Sequence, residues 1–122
     1  MILAVDCGST SFKAAVFDRR LKIKGEGAAA LTYHYPAAGR VELEVEGAAS
    51  AFGEAVAAAL RAASVRASSL LAVALTSQAQ TFTVRDGRGR AKMRYISWQD
   101  QRAGAACAAA RETPSLVDFG RH

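Results

Sequence analysis

An acid, a glycine, three hydroxyl residues and a base crowd the start of this chain: Asp6, Gly8, Ser9, Thr10, Ser11 and Lys13. Together these types suit a phosphate and its metal ion. A turn of small residues exposes backbone N–H groups to an anion. Gly8 lets the backbone come close to it. The hydroxyls add donors, and Lys13 adds positive charge. Asp6 offers the hard oxygen that Mg²⁺ prefers, acting through water. No GxxxxGK[ST] is present, so this is not a Walker loop. A plain hairpin turn also calls for Gly and Ser, and the stretch alone leaves both readings open.

Two later segments carry further polar chemistry. Thr76-Ser77-Gln78-Ala79-Gln80-Thr81 follows an apolar run. Polar residues at the mouth of a strand in an open α/β sheet often line a ligand crevice. Gln78 and Gln80 donate and accept, which suits sugar hydroxyls. The bland alternative is a polar strand exit. Ser97-Trp98-Gln99-Asp100-Gln101-Arg102 contains the single tryptophan of the chain. Trp98 can stack on the apolar face of a sugar, and Asp100 and Arg102 can bond hydroxyls or each other. The alternative is a core Trp beside a helix cap, with Asp100 as the cap.

The elements that must position these groups follow from hydrophobic pattern. Ile2 to Val5 predicts a buried strand, with Phe12 to Phe17 as its hairpin partner. Leu21 and Ile23 alternate with Lys22 and Lys24, which predicts a third strand with one wet face. An antiparallel meander is the simplest arrangement. Gly47 to Ala63 predicts a helix whose buried stripe is Phe52, Val56, Leu60 and Ala63. Leu70 to Thr76 is continuously apolar, the pattern of an interior strand covered on both faces. Thr81 to Val84 and Met93 to Ile96 flank Asp86-Gly87-Arg88-Gly89, a hairpin signal. Asp100 is placed to cap a second, alanine-rich helix that ends before Pro114.

The whole chain sets bounds. Its 122 residues fit one domain or part of one. Hydrophobic content of 51% and charged content of 22% are ordinary for a globular fold. The formal charge of +5 concentrates in Arg85 to Arg94, without the aromatic interleaving of a nucleic-acid binder. The expected partners therefore exclude nucleic acid. Cys7 and Cys107 form no CxxC, and only two histidines occur, which argues against zinc. Reduced thiols fit a cytoplasmic protein. Asp6 interrupts the first apolar run before a signal core forms, and no later run is long enough to span a bilayer.

Asp-x-Gly-Ser-Thr-Ser-x-Lys, then a Gln-containing loop after an apolar strand, then Trp-x-Asp-x-Arg, resembles the FGGY family of carbohydrate kinases. The resemblance covers most of this chain and the front portion of the family's proteins. It implies an α/β fold of the ribonuclease-H-like, actin-like ATPase type: a mixed sheet with flanking helices, incomplete in this chain. Residues 1–122 would form the N-terminal part of the first domain, without the C-terminal ATPase domain. The implied reaction moves the γ-phosphoryl group of ATP to a sugar or polyol hydroxyl, with Mg²⁺. By match, Asp6 is the metal-associated aspartate. Gly8, Ser9, Thr10, Ser11 and Lys13 form the phosphate hairpin. Gln78, Ala79 and Gln80, with Trp98, Asp100 and Arg102, take positions beside the substrate.

Departures from the family pattern sharpen the expectation. Gln78-Ala79-Gln80 replaces the Gln-Arg-Glu of glycerol kinases and the Gln-Met-His of xylulokinases, so glycerol is disfavoured and xylulose unsupported. A small neutral sugar or polyol is the expected substrate. The family's catalytic base is an aspartate in a later Gly-Asp segment, absent up to His122. This chain alone is therefore expected to be inactive. The alternative is a non-catalytic actin-like module that binds nucleotide or a partner; such modules share the Asp-x-Gly opening but not the two later segments.

Overall fold

The computed structural model describes residues 1–113. Strands β1 (Ile2–Cys7), β2 (Ser11–Phe17) and β3 (Ile23–Ala30) form the expected antiparallel meander. After the short strands β4 (Tyr33–His34) and β5 (Glu42–Leu43) comes helix α1 (Val45–Ala62). Strand β6 (Ala72–Ser77) then joins the first sheet parallel to β1, giving the order β3-β2-β1-β6. Strand β7 (Tyr95–Ile96) pairs with β5 in a small second sheet, β4-β5-β7. Helix α2 (Gly104–Arg111) follows.

One face of the main sheet carries the core. Leu3 and Val5 of β1 and Phe12, Ala14 and Val16 of β2 point to α1 and are buried. The period-2 alternation of strands explains why these residues share a face. The helix meets that face differently from its pattern. Its buried stripe is Ala48, Ala51, Ala55 and Ala59, while Phe52, Val56 and Leu60 flank the contact partly buried. The reason lies in β3, whose Gly25 and Gly27 face α1. A methyl group on Gly27 would sit 2.6 Å from the Ala58 Cβ and from the Ala59 amide nitrogen. Glycine and alanine together let two backbones touch, and the larger side chains are pushed to the flanks. The contact selects for smallness.

Three other expectations change. The Leu70–Thr76 run does form a strand, but β6 is an edge, and Val73 and Leu75 are 55% and 65% exposed. No described element covers it. The segments around Asp86–Gly89 make only isolated bridges, Phe82 with Ile96 and Arg85 with Ala91. Residues Tyr95 and Ile96 also pair with β5. Leu21 and Ile23 are both exposed, and Leu21 takes a left-handed turn conformation with φ 57°. Pro114 lies outside the described residues.

Candidate functional site

Parallel pairing of β1 and β6 brings their C-terminal ends side by side, with Cys7 opposite Ser77. The Gly8 turn and the Gln78 loop therefore leave the sheet as neighbours. The Gln78 amide N–H donates to the Cys7 carbonyl at 3.0 Å, continuing the ladder by one step. The Gln78 side-chain amide reaches the Gly8 carbonyl at 3.5 Å, leaving its buried Oε1 without a protein partner. Gln80 adopts a left-handed backbone, φ 64°, which costs a non-glycine residue about 1 kcal/mol. Strain of that kind turns the loop sharply over the strand ends.

The third segment closes on the same place. Phe82 and Ile96 bridge, and the Trp98 N–H donates to the Thr81 hydroxyl at 3.2 Å. Ser9, Gln78, Ala79, Gln80 and Trp98 line one shallow cleft of about 300 Å³. Three segments far apart in sequence thus share one wall-to-wall space. Trp98 is 50% exposed, so it is no core residue; its ring is available to a ligand.

The first hairpin presents two kinds of group. Asp6 and Lys13 are register partners on the sheet face opposite α1, both exposed, beside Thr76. Ser9 and Thr10 sit at the turn, their backbone tied down and their hydroxyls not bonded to any described residue. The Ser9 carbonyl accepts the Tyr33 hydroxyl at 2.7 Å, and the Thr10 carbonyl accepts the Leu31 N–H at 3.0 Å. A methyl group on Gly8 would stand 3.2 Å from the Ser11 carbonyl, a tight fit that glycine avoids. Burial and then the neighbouring Asp6 carboxylate push the Cys7 thiol up, which keeps it protonated and inert.

Asp100 and Arg102 bond each other, and Asp100 does not cap α2. The start of α2 has Ala103 in the capping position with no side-chain cap. Asp100 spends its carboxylate elsewhere. Its Oδ2 accepts the Val41 N–H and one Arg102 Nη2–H, each at 2.8 Å. Its Oδ1 accepts the Arg102 backbone N–H at 2.9 Å and Nε–H at 2.7 Å. Arg102 Nη2 also donates to Glu42 of β5 at 2.6 Å. The Arg102 guanidinium holds Asp100 far below the usual carboxylate range, with smaller help from the backbone donors. Arg102 likewise lowers Glu42, with Arg94 adding to it. Glu42 and Tyr33 are participants the motif reading missed; the alternation Val41-Glu42-Leu43-Glu44-Val45 is the signal that finds β5.

Among the described residues no group of three His, Cys, Asp or Glu side chains stands ready to hold a metal. That donor set still fits Mg²⁺, which keeps most of its waters and takes one or two carboxylates plus substrate phosphates. Asp6, exposed at the strand end, is such a single carboxylate.

Comparison with known proteins agrees with this geometry. The model of the FGGY family of carbohydrate kinases, N-terminal domain, matches residues 1–118. A glycerol kinase of Agrobacterium fabrum is 37% identical over 107 residues, 87% of this chain and 21% of that protein. A glycerol kinase of Chelativorans sp. is 37% identical over 121 residues, 98% of this chain and 24% of its own. The chain thus spans about a fifth to a quarter of the length of these relatives. Xylulose kinase of Lactobacillus acidophilus superposes with a TM-score of 0.82 at 17% identity, over 91% of this chain and 22% of that one. Plasmodium falciparum glycerol kinase, solved with ADP, superposes at 0.77 and 17% identity, over 92% and 23%. The actin-like ATPase fold expected from the motifs is the one these structures share, and the chain belongs to the FGGY family of carbohydrate kinases.

Proposed function

We propose that this chain is the N-terminal part of an ATP-dependent kinase that phosphorylates a hydroxyl of a small neutral sugar or polyol. The observation that carries the reading is the cleft in which Ser9, Gln78, Ala79, Gln80 and Trp98 meet. Trp98 supplies a stacking face. Gln78 and Gln80 supply neutral donors and acceptors. Ala79 leaves room. With no charged side chain on the loop, a neutral ligand fits better than an acidic one. The named relatives include glycerol kinases, yet the Gln-Ala-Gln loop argues for a substrate other than glycerol.

Gly8, Ser9, Thr10, Ser11 and Lys13 would hold the phosphates of ATP beside this cleft. Asp6 would hold Mg²⁺ through its water shell, and the ion would neutralise charge building on the transferred phosphoryl group. The chain's own residues bind and orient; the base that takes the hydroxyl proton is expected beyond residue 122. Phosphoryl transfer rests on positioning both reactants, so the 122-residue chain should not turn over alone. Two free cysteines fit a cytoplasmic setting.

The test is ATP turnover by the parent protein against a panel of neutral sugars and polyols that includes glycerol and xylulose. Turnover that depends on one neutral sugar, and that falls about 10²–10³-fold in Asp6→Asn, is the expected result. ATP binding with no sugar dependence anywhere in the panel would point instead to a non-catalytic nucleotide module.

A further inference from the structure

We propose that Asp100, Arg102 and Glu42 are positioning residues that fix Trp98 over the cleft, and that they do not touch the substrate. The proposal deepens the sugar-cleft reading, because it concerns how the stacking wall is held.

The argument starts from saturation. A carboxylate offers about four acceptor sites. Asp100 fills them with the Val41 N–H, the Arg102 N–H and two guanidinium N–H groups. Its side chain is 1% exposed, so no ligand hydroxyl reaches it. Arg102 turns its fork inward, to Asp100 and to Glu42 on β5. Glu42 takes Arg94 on its other oxygen at 3.6 Å. None of Asp100, Arg102 or Glu42 lines the cleft that contains Trp98.

The clasp also has the right anchor points. Asp100 grips Val41, and the Val41 carbonyl accepts the Ser97 N–H at 3.0 Å, next to Trp98. The Gly39 carbonyl accepts the Gln101 N–H at 2.7 Å on the far side. Residues 97 to 102 are thus stitched at both ends to residues 39–41, the segment leading into β5, with the charged clasp between. Trp98 projects from this loop into the cleft, its own N–H held by the Thr81 hydroxyl. Arg suits this work better than Lys, because its planar fork serves two carboxylates at fixed angles.

Trp98 is the single tryptophan, so its fluorescence reports the clasp directly in the 122-residue chain. Acrylamide quenching and emission wavelength are measured for wild type, Arg102→Ala and Asp100→Asn, with far-UV circular dichroism as the control for folding. Both variants are expected to quench more strongly and to emit at longer wavelength while keeping the wild-type circular dichroism. Arg90→Ala, which removes a more exposed ion pair to Asp86 in the turn before β7, should change neither. If Arg102→Ala loses its fold, Arg102→Lys and Glu42→Gln replace it, and quenching above wild type is again the expected result. Folded clasp variants with wild-type quenching would overturn the proposal. In the parent kinase, Arg102→Lys should lower kcat/KM by the same factor for every accepted sugar. A loss confined to sugars bearing one particular hydroxyl would show Arg102 to be a substrate ligand and would also overturn it. The quenching arm needs no sugar, so its failure is separable from failure of the kinase reading.

Discussion

The first hairpin turn and the Trp98 loop line the same cleft, yet they are held in opposite ways. Behind the hairpin lies a packed layer: Leu3, Val5, Phe12, Ala14 and Val16 against α1. Apolar burial holds β1 and β2 from the rear, and the backbone of the turn is tied to Leu31 and Tyr33. The hydroxyls of Ser9 and Thr10 are left unspent. The Trp98 loop has no such layer. It is held by its own polar side chains, with Asp100 and Arg102 consumed in the process. A wall that must offer donors to a ligand is best supported by something other than those donors. A wall whose contribution is an aromatic face can spend its charges on itself.

If that contrast is right, the hairpin wall breaks from behind. Gly27→Ala should be the most damaging substitution, because its Cβ would enter the space held by Ala58 and the α1 backbone. Overpacking at such a contact costs about 3 kcal/mol, read as a lower urea midpoint for the whole chain. An unchanged midpoint would mean that α1 slides away freely and that the rear layer is not what holds the turn.

The second wall should break with acid. Asp100 and Glu42 both have folded pKa values below their unfolded ones. The stability they supply is therefore complete above the unfolded value and declines as pH falls through the folded one. Trp98 quenching should stay flat down to about pH 4 and rise below it, earlier than the far-UV signal of the main sheet. Asp100→Asn should remove most of that acid-sensitive step. A single transition shared by both probes would show that the two walls are one cooperative unit.

How far these features were legible in the sequence follows the same division. The hairpin turn, the Gln loop and Trp98 are found by residue type, because their chemistry is local. The distant partners of Asp100 and Arg102 are not, since Val41 and Glu42 lie far away in sequence and only folding brings them near. The stripe on α1 departs from its hydrophobic pattern because smallness, not volume, decides the core position. Gly25 and Gly27 on another strand decide that contact, and nothing within the helix announces them. Strand β6 shows a related limit: a continuous apolar run records how much water a strand is built to lose, not which element removes it.

A smaller effect probes the tie between the small sheet and the hairpin. Tyr33→Phe removes the hydrogen bond to the Ser9 carbonyl, a group that can turn to water at the surface. The expected loss is about 1 kcal/mol, seen as a modest shift of the urea midpoint. A loss several times larger would make Tyr33 a principal support of the turn and shift credit from α1 to β4.

The smallest expected effect is the most pointed. Thr10→Ala deletes an exposed hydroxyl that bonds no described residue, so stability should move by less than about 0.5 kcal/mol. The same change in the parent kinase should weaken ATP turnover if the group serves phosphate as proposed. Ala keeps the backbone N–H and the Thr10 carbonyl bond to Leu31, so the turn itself survives the substitution. The two readouts therefore separate cleanly. Lost stability with intact turnover would mean the hydroxyl supports the turn, and the hairpin would then be spending its donors on itself just as the Trp98 loop does. Intact stability with weakened turnover is what a wall braced from behind and open in front requires.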